Sequence, residues 1–195
     1  MDIIVASNNK GKIAEYKSML EPLGYNVLSQ SEAEINIEVE ETGTTFEENA
    51  FLKANAIYEL KHTAVLADDS GIEVEYLNGE PGIYSARYKG LETDEEKRRY
   101  ILKQLEGVSE KQRKARFVCV ICFIKQNGEK IVVNGIYNGK IANEEKGNNG
   151  FGYDPIFIPE GRNITVAQMT KEEKNSESHR AIALNKLVKE LENNK

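Results

Sequence analysis

The run FVCVICFI at Phe117–Ile124, followed by Gln126-Asn127-Gly128 and then KIVVNGIYNGKI, constrains this chain more than any other stretch. Aromatic and β-branched side chains favour strands, and Asn-Gly between two such runs signals a hairpin. The chain is therefore expected to hold a sheet with two long neighbouring strands. The same run is far too short to span a bilayer. The N-terminus lacks a basic stretch leading into a long apolar one, so no signal peptide is expected and the cytoplasm is the expected location. Cys119 and Cys122 fall inside this strand, where residues i and i+3 point to opposite faces. They are expected to be buried, reduced thiols. With one Cys pair and two His in the chain, any metal should be held by oxygen.

Elsewhere strands and helices mix without strict alternation. Residues 2–6 predict a strand, Lys10–Leu20 a helix ended by Pro22 and Gly24, and Tyr25–Leu28 a second strand. Ile35, Ile37 and Val39 alternate before Gly43. Thr44 or Thr45 with Glu47 or Glu48 then makes a capping box. It opens a helix with Phe46, Ala50, Ala54, Ile57 and Leu60 on one face. TAVLADDSG predicts a buried strand ending in an acidic turn, and IEVEYL another strand after it. DEEKRRYILKQL is an amphipathic helix with a charged outer face, and KQRKAR (Lys111–Arg116) reads as a solvated connection in preference to a basic patch for a polyanion. A Gly/Asn-rich loop leads to IFIP, and one helix closes the chain from about Ser176 to Leu191. The fold class is α/β: a mixed sheet flanked by helices, with irregular loops gathered at a cleft. At 195 residues, with 39% apolar and 30% charged, the chain suits a single globular domain over 1–195. A net charge of −6 argues against nucleic acid or anionic membrane as the main partner.

Four stretches carry chemistry. In the opening MDIIVASNNKGK an apolar strand enters a polar turn just before a helix, the layout of a phosphate cradle without the Walker spacing. ADDSG puts Asp68 and Asp69 after an apolar strand. Adjacent residues cannot point the same way, so one carboxylate should enter the cleft while the other braces the loop; a solvated turn is the competing reading. VEETG (Glu40, Glu41) alone is a charged turn, but with ADDSG it could complete an oxygen site for Mg²⁺. GNNGFGYDP presents Phe151 and Tyr153 either for stacking on a base or as loop anchors. Lys174, His179 and Arg180 near the start of the last helix oppose its macrodipole, with Ser176 or Ser178 as possible caps. A solvated His-Arg pair is the competing reading, and the conflict shifts the balance toward a ligand there.

Taken in order, SNNKGK, EETGTTFEENAFLKA, ADDSGIEVEYLNGEPGIYSARY, ARFVCV, GFGYDPIF and TKEEKNSESHRAIAL make the chain resemble the inosine triphosphate pyrophosphatases from residue 7 to about residue 184. The resemblance implies an elongated, strongly twisted mixed sheet, two lobes with an active-site cleft between them, and a homodimer. It implies Mg²⁺-dependent hydrolysis of dITP/ITP and XTP/dXTP to the monophosphate and pyrophosphate. By motif position it assigns catalysis to Asp69 and metal binding to Glu40 and Asp69. Substrate binding falls to Ser7, Asn8, Asn9, Lys10, Gly11, Lys12, Ser70, Phe151, Gly152, Tyr153, Asp154, Lys174, His179 and Arg180. Two other classes are weighed beside it. One is a Maf-like pyrophosphatase for pyrimidine or modified nucleotides, which shares only the strand–turn–basic-helix opening. The other is a non-catalytic nucleotide sensor, for which the acid cluster would have no role.

Overall fold

A computed structural model describes residues 1–193. Its sheet has six strands in the order β2-β1-β3-β4-β5-β6. β1 (Asp2–Val5) is the parallel partner of β2 (Asn26–Ser29), with Ile3 opposite Val27, and of β3 (Val65–Val74), with Val5 opposite Leu66. Parallel strands are covered on both faces, and Ile3, Ile4 and Val5 are accordingly all buried. Helix α1 (Lys10–Leu20) connects β1 to β2. Asn9 caps it by accepting from Lys12 N, and Glu15, Tyr16 and Leu20 are its buried residues. Helix α2 (Phe46–Lys61) begins in the expected capping box, formed by Thr45 and Glu48. Its buried stripe holds Ala50, Ala54 and Ile57, while Leu60 is 57% exposed and does not belong to it.

β4 (Lys114–Ile124) and β5 (Lys130–Ile141) are neighbours, joined by a turn in which Gly128 N donates to Lys125 O. β6 (Phe157–Pro159) pairs antiparallel with β5. Cys119 joins a buried cluster with Ile3, Val5 and Leu66, and Cys122 one with Ile4, Val65 and Ala67. The alternation of partners along β1 and β3 assigns the two thiols to opposite faces of the sheet, as expected. Both are free and buried.

Contacts divide the chain into two compact units. The first holds Met1–Asp69, Cys119–Asn134 and the last helix from Ala183; the second holds Ser70–Val118 and Gly135–Ile182.

Four local expectations are corrected. β3 runs unbroken from Val65 to Val74, so Asp68-Asp69-Ser70-Gly71 lie within a strand and not in a turn after one. The alternating segment Ile35–Val39 forms no ladder, although Ile35 is buried. The closing helix is two: α4 (Lys171–Glu177) and α5 (His179–Asn193), separated at Ser178, whose backbone is extended. Arg113 of KQRKAR is 4% exposed. Its guanidinium donates to Leu105 O at 2.7 Å, Ala142 O at 2.6 Å and Ile141 O at 2.9 Å, which replaces the hydration a solvated arginine would have. It thereby fastens the end of α3 (Asp94–Gln104) to the end of β5.

Candidate active site

The strand at Asp68-Asp69 positions the acid cluster of the first unit. Successive residues of a strand project to opposite faces, and the two carboxylates do have different partners. Asp68, 1% exposed, accepts an ion pair from Lys12 Nζ at 2.9 Å, and the Cys119 thiol donates toward the same oxygen at 3.9 Å. Asp69 accepts from Asn49 Nδ2 at 3.2 Å and faces Lys53 Nζ at 3.6 Å. Lys53 in turn holds Glu41 at 2.6 Å. Burial pushes the Asp69 carboxyl above its ordinary value and Glu41 adds to this, against the pull of Lys53, Lys12 and Asn49. Burial pulls Lys53 down, but the charges of Asp69, Asp68 and Glu41 outweigh it and hold the ammonium above its usual range.

Residue Asn49 also fixes the preceding loop, because Gly43 N donates to its Oδ1 at 2.8 Å. A Cβ on Gly43 would stand 2.6 Å from that oxygen, so only glycine permits the approach. Asn49 and Lys53 lie one turn apart on α2, with Asn49 fully buried beside Ala50. Neither had been singled out from sequence. The available signal was a polar side chain on the apolar face of a capped helix. Of the acid pair, the structure brings Glu41 to Lys53 and leaves Glu40 exposed. In the opening turn Asn8, Asn9 and Lys10 are exposed, Gly11 and Lys12 half-buried, and Ser7 Oγ accepts from Asn9 N at 3.2 Å. Only Lys12 reaches the carboxylates.

The second unit gathers the remaining candidates. Ser178 Oγ accepts from Ala181 N at 3.3 Å, capping α5, which places His179 and Arg180 in its first turn. The conflict with the macrodipole therefore stands for these two. It does not for Lys174, which lies in the last turn of α4, where a cation is favoured. His179 stacks on Phe117, centroids 4.7 Å apart and rings 10° from parallel. Arg180, 1% exposed, directs Nη2 to Ser70 Oγ at 3.5 Å, and its Cζ lies 5.9 Å from the centroid of Phe151. Lys174 Nζ is 4.4 Å from the same ring and 2.7 Å from Asp154 Oδ2. That oxygen also accepts from Phe151 N, and a Cβ on Gly150, where φ is +77°, would come within 2.0 Å of it.

Phe151 is half-buried, with the Lys174 and Arg180 cations beside its ring. Tyr153 is different. Its ring is buried in the core of this unit and its hydroxyl donates to Ser85 O at 2.8 Å, so its side chain is an anchor for the loop and is not offered for stacking. Gly152 between them is bonded to α3 through both its N–H and its carbonyl. Phe117, Asp94 and Arg98 had not been singled out either, since nothing local marks them.

A model of the Ham1 family matches residues 3–190. The dITP/XTP pyrophosphatase of Bacillus subtilis (strain 168) is 46% identical over 192 residues, 98% of this chain and 97% of that protein. The dITP/XTP pyrophosphatase of Clostridium perfringens (strain 13 / Type A) is 49% identical over 96% of each. Among solved structures, the Staphylococcus aureus Ham1 protein aligns with a TM-score of 0.88 at 46% identity over 100% of both chains. A HAM1 protein from Coxiella burnetii aligns with a TM-score of 0.88 at 39% identity over 99% of both.

Proposed function

The chain belongs to the Ham1 family, and on that footing we propose that it hydrolyses non-standard purine nucleoside triphosphates, dITP/ITP and XTP/dXTP, to the monophosphate and pyrophosphate. One observation carries the reading. A partly buried acid–ammonium cluster (Lys12, Asp68, Asp69, Lys53, Glu41) and a set suited to a purine (Phe151, Lys174, His179, Arg180) occur in one chain. They adjoin in sequence at Asp69-Ser70. The match over residues 3–190 sets aside the Maf-like alternative, and enzyme relatives at this identity set aside a sensor.

Asp69 is the base of the proposed reaction. Its carboxyl is already shifted upward, toward the range where a carboxylate accepts a proton near neutral pH. It takes a proton from the water that attacks the α-phosphorus; the bond to the bridging oxygen breaks and pyrophosphate leaves whole. Lys12, fixed by Asp68, and Lys174, fixed by Asp154, supply positive charge for the phosphates. The turn Ser7, Asn8, Asn9, Lys10, Gly11 brings the phosphates to the start of α1, with the N–H groups of Ser7 and Asn9 already bonded within the turn. Ser70, Phe151, Gly152, Asp154, His179 and Arg180 bind the nucleoside, with Tyr153 contributing through its backbone.

The donor set suits Mg²⁺. Carboxylate oxygens are its preferred ligands, and Glu41 and Asp69 already flank a cation, the Lys53 ammonium. Among the described residues no three His, Cys, Asp or Glu side chains assemble a complete cage. Mg²⁺ is commonly held by one or two carboxylates with substrate oxygens and waters. We assign Asp69 to it and, by motif position, the neighbouring exposed Glu40, whose side chain lies outside the Lys53 pairs. When bound, Mg²⁺ neutralises charge on the phosphates.

We further read the protein as a cytoplasmic homodimer; light scattering giving the mass of a single chain would remove the dimer. Among the described residues no helix is long and apolar enough to cross a membrane. The function itself is tested by incubating the protein with dITP, XTP and dATP in Mg²⁺ and separating the products. Equimolar monophosphate and pyrophosphate from dITP and XTP is the expected result. Orthophosphate alone, or equal use of dATP, would overturn it.

A further inference from the structure

We propose that Asp94 and Arg98 of helix α3 are positioning residues for the purine: they hold the two peptide groups that flank Gly152 and so fix Phe151. Gly152 N donates to Asp94 Oδ2 at 3.1 Å, and Gly152 O accepts from Arg98 Nη1 at 2.9 Å. The same guanidinium uses Nε on Glu145 Oε2 at 2.8 Å, so it cross-links two points of one loop. Its side chain is only 15% exposed, which shields these charge-assisted bonds from water. Asp94 and Arg98 stand four apart on α3, hence on one side of it.

The loop needs such a grip. Gly150 and Gly152 both have positive φ, at +77° and +60°, and glycine resists rotation least of all residues. What the grip controls follows from the next contacts. Phe151 N donates to Asp154 Oδ2 at 2.9 Å, and that oxygen holds Lys174 Nζ at 2.7 Å. Lys174 Nζ in turn lies 4.4 Å from the Phe151 ring centroid. A shift of the peptide groups that flank Gly152 therefore displaces the ring and the anchor of Lys174 together. Neither α3 residue belongs to the acid cluster around Asp69.

The proposal rests on the reading of Phe151 as the purine platform. Its test compares wild type with Arg98→Ala, Arg98→Lys and Asp94→Ala in two measurements: amide exchange at Phe151–Asp154, and steady-state hydrolysis of dITP. The expected result for Arg98→Ala is faster exchange at these amides and a KM for dITP raised roughly tenfold or more, with kcat within about threefold. Arg98→Lys should fall between it and wild type. Asp94, 52% exposed, provides a variant that should fold if Arg98→Ala does not. Faster exchange with KM unchanged would show a clamp with no part in binding and overturn the proposal, as would unaltered exchange or a loss confined to kcat. Failure of the wild-type protein itself to release pyrophosphate from dITP would instead remove the function, while the exchange data would still report the clamp.

Discussion

The Lys53 ammonium stands 3.6 Å from Asp69 Oδ1, so each charge favours the ionised form of the other against the cost of burial. Burial holds the Asp69 carboxyl above its ordinary value, and Lys53 opposes the shift. Asp69→Asn should abolish turnover, since an amide cannot accept the proton, and leave nucleotide affinity within a few-fold. The sign of the stability effect follows from linkage. A carboxyl whose folded pKa is raised stabilises the fold below its unfolded value, and that stability is lost as pH rises through the folded value. Ionised Asp69 is thus a cost at pH 7.5, and Asp69→Asn should melt above wild type there, the gap closing as pH falls. Lys53→Met should move the acid limb of kcat/KM to higher pH. Turnover of Asp69→Asn near that of wild type would remove this residue from catalysis.

The thiols permit a second test. Cys119 and Cys122 are fully buried, and burial pushes the Cys122 thiol up to about 11, so little thiolate exists at neutral pH. Native protein should resist thiol reagents and need no reductant. A double Cys→Ala variant should lose roughly 1 kcal/mol per site through small cavities and retain turnover. Activity that followed thiol oxidation would refute this.

These two cases also show what sequence could reveal. The assignment of the cysteines to opposite faces needed only the two-residue period of a strand, a local property, and it held. So did the Thr45–Glu48 box and the Asn-Gly turn. The expected break at ADDSG failed because Ser-Gly favours a turn only where no neighbouring strand competes, and in β3 the ladder continues past it. Asp68 and Asp69 were legible as a divided pair, but their partners Lys12, Asn49 and Lys53 come from other elements. Position in the chain says nothing of such partners. The motifs supplied the candidate residues of the site. Those that hold them in place, Arg98 and Arg113 among them, carry no local mark.

Arg113 is the sharpest stability test. Its guanidinium satisfies the Leu105, Ile141 and Ala142 carbonyls from a buried position. Arg113→Ala leaves those acceptors without their donor and opens a cavity, and should cost roughly 3 kcal/mol or more in urea denaturation. Arg113→Lys should recover only part of this, because an ammonium lacks the planar fork that reaches all of them. A loss under about 1 kcal/mol would mean that water replaces the guanidinium.

Base selection gives the last prediction, and it rests on Arg180. The side chain is buried at the start of α5, and its Cζ lies 5.9 Å from the Phe151 ring. A guanidinium only donates hydrogen bonds. Hypoxanthine and xanthine present a carbonyl oxygen at C6, which accepts them; adenine presents an amine, which sets donor against donor. In a buried site that mismatch leaves polar groups unsatisfied, and discrimination of roughly 10⁴-fold is within reach, well beyond what pocket shape achieves. Arg180→Ala should therefore lower kcat/KM for dITP far more than for dATP, narrowing their ratio. If the variant fails to fold, Arg180→Lys keeps a donor but loses the fork, and should narrow the ratio less. If both substrates lose equally and the ratio survives, Arg180 serves the phosphates or the fold, and another group reads the base.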